Sequence, residues 1–110
     1  MVYKVVITPV AEHHLEMYVS YTLFTFKYKE YARAIIKDAK ATKRRLAKIA
    51  TTIPLCPNEE LAKLGYRKIS FSKHDFFMVY RIDGDTAVVE AMYHDLQDYE
   101  NLFMEQIENQ

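Results

Sequence analysis

The spacing of apolar residues in the first half of the chain predicts one strand followed by two helices. The β-branched run at 3–8 is typical of a strand. Thr8-Pro9 then predicts a helix start, because a hydroxyl cap followed by proline suits a first helical turn, and this helix should end near Phe26. Residues 28–52 combine a stripe of small and apolar residues with strong helix formers, which predicts a second helix.

The second half changes from helical spacing to alternation. Prolines and a glycine interrupt the pattern at 53–65, so we expect a loop there with one short helical turn in NEELAKL. The next apolar runs predict strands at 66–72, 76–82 and 86–94. Asp83-Gly84-Asp85 is a strong hairpin signal between the last two. Leu96, Tyr99, Leu102, Phe103 and Ile107 recur at helical spacing, which predicts a final amphipathic helix.

These elements define a fold class. The order β-α-α-β-β-β-α predicts a single α+β domain over residues 1–110. Two consecutive helices favour an antiparallel helical hairpin, packed here on a small and mainly antiparallel sheet. The middle strand is apolar on both sides, so both faces of the sheet should be covered.

Composition narrows the setting. Half of the 110 residues are apolar, which is typical of a folded domain. The single cysteine, Cys56, excludes an internal disulfide and a cysteine-based zinc cluster, and it suits a reducing compartment. The chain shows neither a signal peptide nor an apolar run of membrane-spanning length, so we expect a cytoplasmic protein with no membrane partner.

The formal net charge of zero hides a strong asymmetry. Residues 27–48 hold nine basic residues, and residues 83–110 hold eight acidic residues and no Lys or Arg. Two interpretations are open for the basic helix. It is either a surface for a polyanion such as RNA, with Lys43, Arg44 and Arg45 as candidate contacts, or an ordinary solvated helix face.

Several short motifs, taken in order, resemble the RelE/ParE superfamily of bacterial toxins. They are Leu64-Gly65-Tyr66-Arg67-Lys68, Tyr80-Arg81, Asp83-Gly84-Asp85, and His94 with Asp98. The order and length of the elements match over the whole chain. The resemblance implies a toxin of a type II toxin–antitoxin system, encoded beside a small antitoxin that wraps and neutralises it.

The superfamily has two unlike activities. Some members enter the ribosomal A site and cut mRNA as metal-independent endoribonucleases without a cofactor, whereas others poison DNA gyrase without hydrolysing anything. Cutting RNA through its 2′-hydroxyl requires a base, an acid and cations for the phosphorane charge. The resemblance therefore makes His94, Tyr93, Lys68 and Arg81 the candidate catalytic residues, with Arg67 as a further substrate contact.

The residues around these candidates leave both activities open. Ribosome-dependent members commonly carry basic residues where this chain has Asp95-Leu96-Gln97 and Phe76-Phe77. This weakens the case for mRNA cleavage and leaves gyrase inhibition, or a non-toxic antitoxin-binding relative, open. Structural roles are also open: a hydrogen-bonded His94, a helix cap at Asp95, and an ion pair of Arg81 with Asp83. Alternation places Lys68 and Arg67 on opposite faces of their strand.

Overall fold

A computed structural model describes residues 2–109 and has the predicted order of elements. The predicted domain 1–110 also includes Met1 and Gln110, which lie outside the described residues. The strands are β1 (Lys4–Ile7), β2 (Arg67–Ser70), β3 (Phe76–Asp83) and β4 (Thr86–His94). The helices are α1 (Pro9–Tyr21), continued by a π-helical segment (Thr22–Phe26), then α2 (Lys29–Ile49), α3 (Glu59–Lys63) and α4 (Tyr99–Glu108).

The four strands form one sheet in the order β1-β4-β3-β2. β2, β3 and β4 make the predicted antiparallel meander. β1 pairs with β4 in parallel, so the sheet is mixed. The α+β class and the mainly antiparallel sheet are therefore confirmed.

Each face of the sheet has its own apolar core. On the hairpin face, which α1 and α2 cover, Phe76, Met78 and Tyr80 of β3 are buried. On the α4 face, which α3 and α4 cover, Phe77 and Val79 of the same strand are buried. The strictly apolar run in β3 thus reflects a strand that is buried on both sides.

A β-bulge sets which residues of β4 point to which face. Tyr80 pairs with Val89 and Val79 pairs with Ala91, so Glu90 is one extra residue in β4. Ala87 and Val89 pack on the hairpin face, whereas Ala91 and Tyr93 pack on the α4 face. Without the bulge, strict alternation from Val89 would send Tyr93 to the hairpin face.

The helical hairpin begins as predicted. The Thr8 side chain accepts a hydrogen bond from Ala11 N at 3.3 Å, and Pro9 occupies the first turn. The hairpin turns at Lys27, whose φ of 58° lies in the left-handed region that non-glycine residues adopt at a cost. This turn and the π-helical segment before it present Phe24 and Phe26 to solvent.

Two predicted boundaries are wrong, for identifiable reasons. The last helix begins at Tyr99 and its N-cap position is Asp98, not Asp95, because Asp95 N still donates to Asp75 O at 2.8 Å as a continuation of the sheet. β2 ends at Ser70 rather than at residue 72, because Ser72 N donates to the Asp38 side chain. Within residues 2–109, no helix is both long enough and apolar enough to cross a bilayer.

Candidate functional site

The strand end that carries Tyr93 and His94 divides between the two faces. The His94 ring lies 5.1 Å from the Phe76 ring on the hairpin face. Tyr93 is buried on the α4 face, 6.0 Å from the Phe77 ring, and its hydroxyl donates to Gln106 Oε1 at 3.4 Å. Burial raises the pKa of the Tyr93 hydroxyl, which keeps it protonated. These neighbours in sequence therefore point to opposite faces of the sheet.

Hydrogen bonds define the orientation and the proton of His94. Its Nδ1 accepts from Leu96 N at 3.1 Å, so in the neutral ring the proton lies on Nε2. Its backbone N donates to Gln97 Oε1 at 2.8 Å, and the Tyr18 hydroxyl donates to the same oxygen. The segment 95–98 is thereby fixed beside the imidazole.

His94 lines a groove beside the turn that joins the two helices of the hairpin, which we call the aromatic groove. Its volume is about 500 Å³, and its walls include Tyr18, Tyr21, Phe26, Tyr31, Phe76 and His94. Tyr21 and Phe26 are 61% and 54% exposed, and Leu96 at its rim is 90% exposed. Apolar surface of this kind, contiguous and uncovered, marks a binding surface.

Lys68 lies on the other face, among rings and carboxylates. Its Nζ is 4.5 Å from the Phe77 ring centre and 4.7 Å from that of Tyr99, which are cation–π contacts. The cavity beside it measures about 360 Å³ and is also lined by carboxylates, those of Asp95, Asp98 and Glu100. A phosphate would meet more negative than positive charge there.

Arg81 is held by carboxylates on the same face. Its Nε donates to Glu90 Oε2 at 3.1 Å, and a second nitrogen lies 3.8 Å from Asp83, the ion pair that the sequence suggested. The Tyr66 hydroxyl donates to the same Glu90 oxygen at 2.6 Å. Burial, followed by the bond to Glu90 and its charge, raises the pKa of Tyr66 to about 12. Arg81 is thus part of a Tyr-Glu-Arg cluster and is neutralised within the protein.

The four basic residues predicted to contact the substrate do not lie together either. Arg67 donates to Ile53 O, on the opposite side of β2 from Lys68, as alternation predicted. Lys43 and Arg44 are exposed on α2, and Lys43 lines a cavity that α2 shares with Glu12 and Leu15 of α1. Arg45 turns towards the sheet, where it donates to Ser70 O and Ser72 Oγ.

A buried carboxylate that the sequence did not single out lies beside Arg45. Asp38 accepts from Ser72 N at 3.1 Å, from Lys73 N at 2.8 Å and from His74 Nδ1 at 2.7 Å. Burial opposes its ionisation, but the hydrogen bonds from His74 and the two backbone groups outweigh burial and lower the pKa of Asp38. An aspartate within the inward stripe of α2 was the available signal, because a buried carboxylate requires such partners.

Two groups of candidates therefore result. Lys68, Arg81 and Tyr93 belong to the α4 face. His94, Arg45, Asp38 and His74 belong to the hairpin face, where Tyr31 lines the aromatic groove and its ring lies 5.3 Å from that of His74. The hairpin face alone combines imidazoles, an arginine and an open groove within the described residues.

Comparisons with known proteins give likeness in structure only. The chain matches no protein-family model and no curated protein. It is similar to a solved chain from the chromosomal ParDE TA system of P. aeruginosa, with a TM-score of 0.69 and 16% identity over 84% of this chain and 96% of the other. It is also similar to a chain of the toxin–antitoxin complex RelBE2 from Mycobacterium tuberculosis, with a TM-score of 0.57 and 20% identity over 86% and 99%.

At these identities the likeness establishes the fold. The chain has the α+β fold of chains solved in ParDE and RelBE2 toxin–antitoxin structures. The fold implied by the resemblance to the RelE/ParE superfamily is confirmed.

Proposed function

We propose that the chain is the toxin of a toxin–antitoxin pair and that it cuts RNA bound in the aromatic groove, with His94 as general acid. The single observation that carries this proposal is the geometry of His94. Its Nδ1 is occupied by Leu96 N, which leaves a protonated Nε2 in a groove of about 500 Å³. The fold shared with chains of two toxin–antitoxin structures supports the toxin role.

The lining of the groove suits single-stranded RNA. Unstacked bases bind by stacking on aromatic side chains, and Tyr21, Phe26 and Tyr31 offer such rings in half-exposed positions. Lys43 and Arg44, exposed on α2, are proposed contacts for the RNA backbone or for ribosomal RNA. Arg45 is the proposed cation nearest the reacting phosphate, because it is bonded at the end of β2 on the hairpin face.

The proposed partner is a cognate antitoxin encoded by a neighbouring gene. An antitoxin segment that folds on the toxin would cover the exposed aromatic side chains of the groove and neutralise the toxin by blocking its substrate. Tyr21→Ser and Phe26→Ser should therefore weaken antitoxin binding, as measured by calorimetry. Leu55→Ser, an exposed apolar residue away from the groove, is the matched control.

A second candidate function is inhibition of DNA gyrase without hydrolysis. The observation that favours it concerns the two basic residues that the resemblance made catalytic candidates. Arg81 is paired with Glu90, and Lys68 is surrounded by Asp95, Asp98 and Glu100, so neither is free to bind a phosphate. In that case the groove binds protein rather than RNA.

Three measurements distinguish these functions. Induced expression of the chain should arrest growth, and absence of arrest contradicts both. Primer extension on translated messages should reveal cuts in the wild type that His94→Gln removes. Purified gyrase should keep its supercoiling activity in the presence of the chain. Inhibited supercoiling without any cut message would replace the ribonuclease by the gyrase inhibitor.

A further inference from the structure

Two histidines lie at the same end of the hairpin face. Phe76 pairs with His94, and the next bond along the same two chain segments joins Asp95 N to Asp75 O at 2.8 Å. His74 is therefore only one residue beyond this bond on its own segment. Tyr31, against the His74 ring, and Phe76, against the His94 ring, both line the aromatic groove. The His94 ring thus lines the groove itself, and the His74 ring lies next to it, against the Tyr31 wall.

The two rings leave opposite kinds of nitrogen free. His74 donates through Nδ1 to the ionised Asp38, so in its neutral form Nε2 is an acceptor. His94 accepts through Nδ1, so its neutral Nε2 is a donor. No buried side-chain nitrogen or oxygen within residues 2–109 lacks a partner, so both Nε2 atoms, which make no protein hydrogen bond, reach solvent. With both rings neutral, the site presents one proton acceptor and one proton donor.

We propose that His74 is the general base and His94 the general acid for cleaving an RNA strand in the aromatic groove, an inference that rests on the proposed ribonuclease function. His74 Nε2 takes the proton of a ribose 2′-hydroxyl as that oxygen forms a bond to phosphorus. The bond from phosphorus to the 5′-oxygen breaks, and this oxygen takes the proton of His94 Nε2. The products are a 2′,3′-cyclic phosphate and a 5′-hydroxyl, and all protons and electron pairs are accounted for.

The surrounding charges suit these roles. Asp38 and Arg45 approach from α2, and Lys73 and Asp75 belong to the turn that carries His74. Tyr18 of α1 lies on the side of His94, and Asp95 lines the cavity beside Lys68 on the α4 face. Arg45 and Lys73 supply positive charge for the phosphorane, and Asp38 is a positioning residue that acts on RNA only through His74.

Single substitutions at the two histidines test the pair. His74→Gln and His94→Gln should each lower the rate of cleavage of ribosome-bound message by about 100-fold or more. The double variant should lose little more than the more damaged single variant, because acid and base act in one step. His13→Gln, an exposed histidine of α1, is the matched control and should cut at the wild-type rate.

The outcomes separate this inference from the function on which it rests. A wild-type protein that cuts no RNA overturns the proposed function itself. If His94→Gln abolishes cleavage and His74→Gln stays within about twofold of the wild-type rate, only the assignment of His74 is overturned.

The pH profile gives a readout that a structural role would not change. The wild-type rate should be bell-shaped in pH; His74→Gln should remove the fall on the acid side, and His94→Gln the fall on the alkaline side. Asp38→Asn should lower the rate and shift neutral His74 away from the Nδ1–H tautomer, because an amide, unlike a carboxylate, can donate to that nitrogen. A wild-type rate and tautomer in Asp38→Asn would contradict the positioning role of Asp38.

Nitrogen-15 NMR of the wild-type protein tests the assignment without any variant. His74 should be the Nδ1–H tautomer and His94 the Nε2–H tautomer when both are neutral. The reverse tautomer at either ring would overturn the proposed roles.

Discussion

The two faces of the sheet carry different functional side chains, although the same strands form both. On the hairpin face, His94 lines an open aromatic groove, and the buried Asp38 orients His74, whose ring lies against Tyr31 of the groove wall. On the α4 face, Lys68 lies against two rings and Arg81 against Glu90. On the hairpin face, each imidazole keeps one ring nitrogen without a protein partner among the described residues. On the α4 face, both cations are already bound by rings or carboxylates.

This difference shows why a list of chemically suitable residues does not define a site. Tyr93, His94, Lys68 and Arg81 are all suited to RNA cleavage by residue type. A cation that is neutralised by carboxylates contributes little to binding a phosphate, and adjacent strand residues point to opposite faces of the sheet. Of the four, only His94 opens on the aromatic groove.

The largest expected effect is a difference in RNA cleavage between variants of the hairpin face and variants of the α4 face. His94→Gln should lower RNA cleavage by about 100-fold or more, whereas Lys68→Gln and Arg81→Gln should stay within about threefold of wild type. The reason is that Lys68 and Arg81 are engaged on the face away from the groove. Cleavage rates on the same message measure the contrast, and a loss with Lys68→Gln equal to that with His94→Gln would refute it.

The next effect concerns the stability of the α4 face. Phe103→Ala should lower the free energy of unfolding by about 3–5 kcal/mol, because Phe103 is 1% exposed and packs 4.7 Å from the Tyr66 ring. Denaturant unfolding measures this. Leu102→Ala, at a neighbouring and 41% exposed position, is the control and should cost much less. Equal losses would mean that α4 is not anchored by its inward side.

A third effect tests the carboxylate of the hairpin face by pH. The pKa of Asp38 is lower in the folded protein than in the unfolded chain, so its ionised form stabilises the fold above the ordinary aspartate pKa. That contribution is lost as pH falls through the lowered value. Asp38→Asn should cost about 1–3 kcal/mol at neutral pH, and the gap to wild type should shrink in acid.

Asp75→Asn is the matched control for that experiment, since Asp75 is exposed in the same turn. Its unfolding curves should follow those of the wild type at every pH. A gap for Asp38→Asn that stays constant between neutral and acid pH would show that ionised Asp38 does not stabilise the turn.

The smallest effect concerns the ion pairs of Arg81. Glu90→Gln should lower stability by about 1 kcal/mol, because the half-buried carboxylate accepts from both Arg81 and Tyr66. Asp83→Asn should cost about 0.5 kcal/mol or less, since its 3.8 Å contact is largely exposed. Thermal unfolding compares the two, and a larger loss at Asp83 would reverse the assignment of the main partner.

The order of elements was predictable because local patterns carry it. Thr8-Pro9 begins α1, Asp83-Gly84-Asp85 turns β3 into β4, and the helical spacing in α2 is strong. Asp95 was harder to predict: as a capping residue it suited a helix start, but its backbone N was taken by Asp75 O. The bond joins two segments that are distant in sequence, which local preference does not encode.

By itself, the sequence determined the α+β order, the two-sided burial of β3 and the presence of His94 at a strand end. Only the tertiary structure decided which face His94 occupies, because the extra residue Glu90 shifts the alternation of β4 before Tyr93. Likewise, only the packing of α2 on the turn at 72–75 joined Asp38 to His74. Both outcomes depend on contacts between segments far apart in the chain, where a shift of one residue exchanges the two faces.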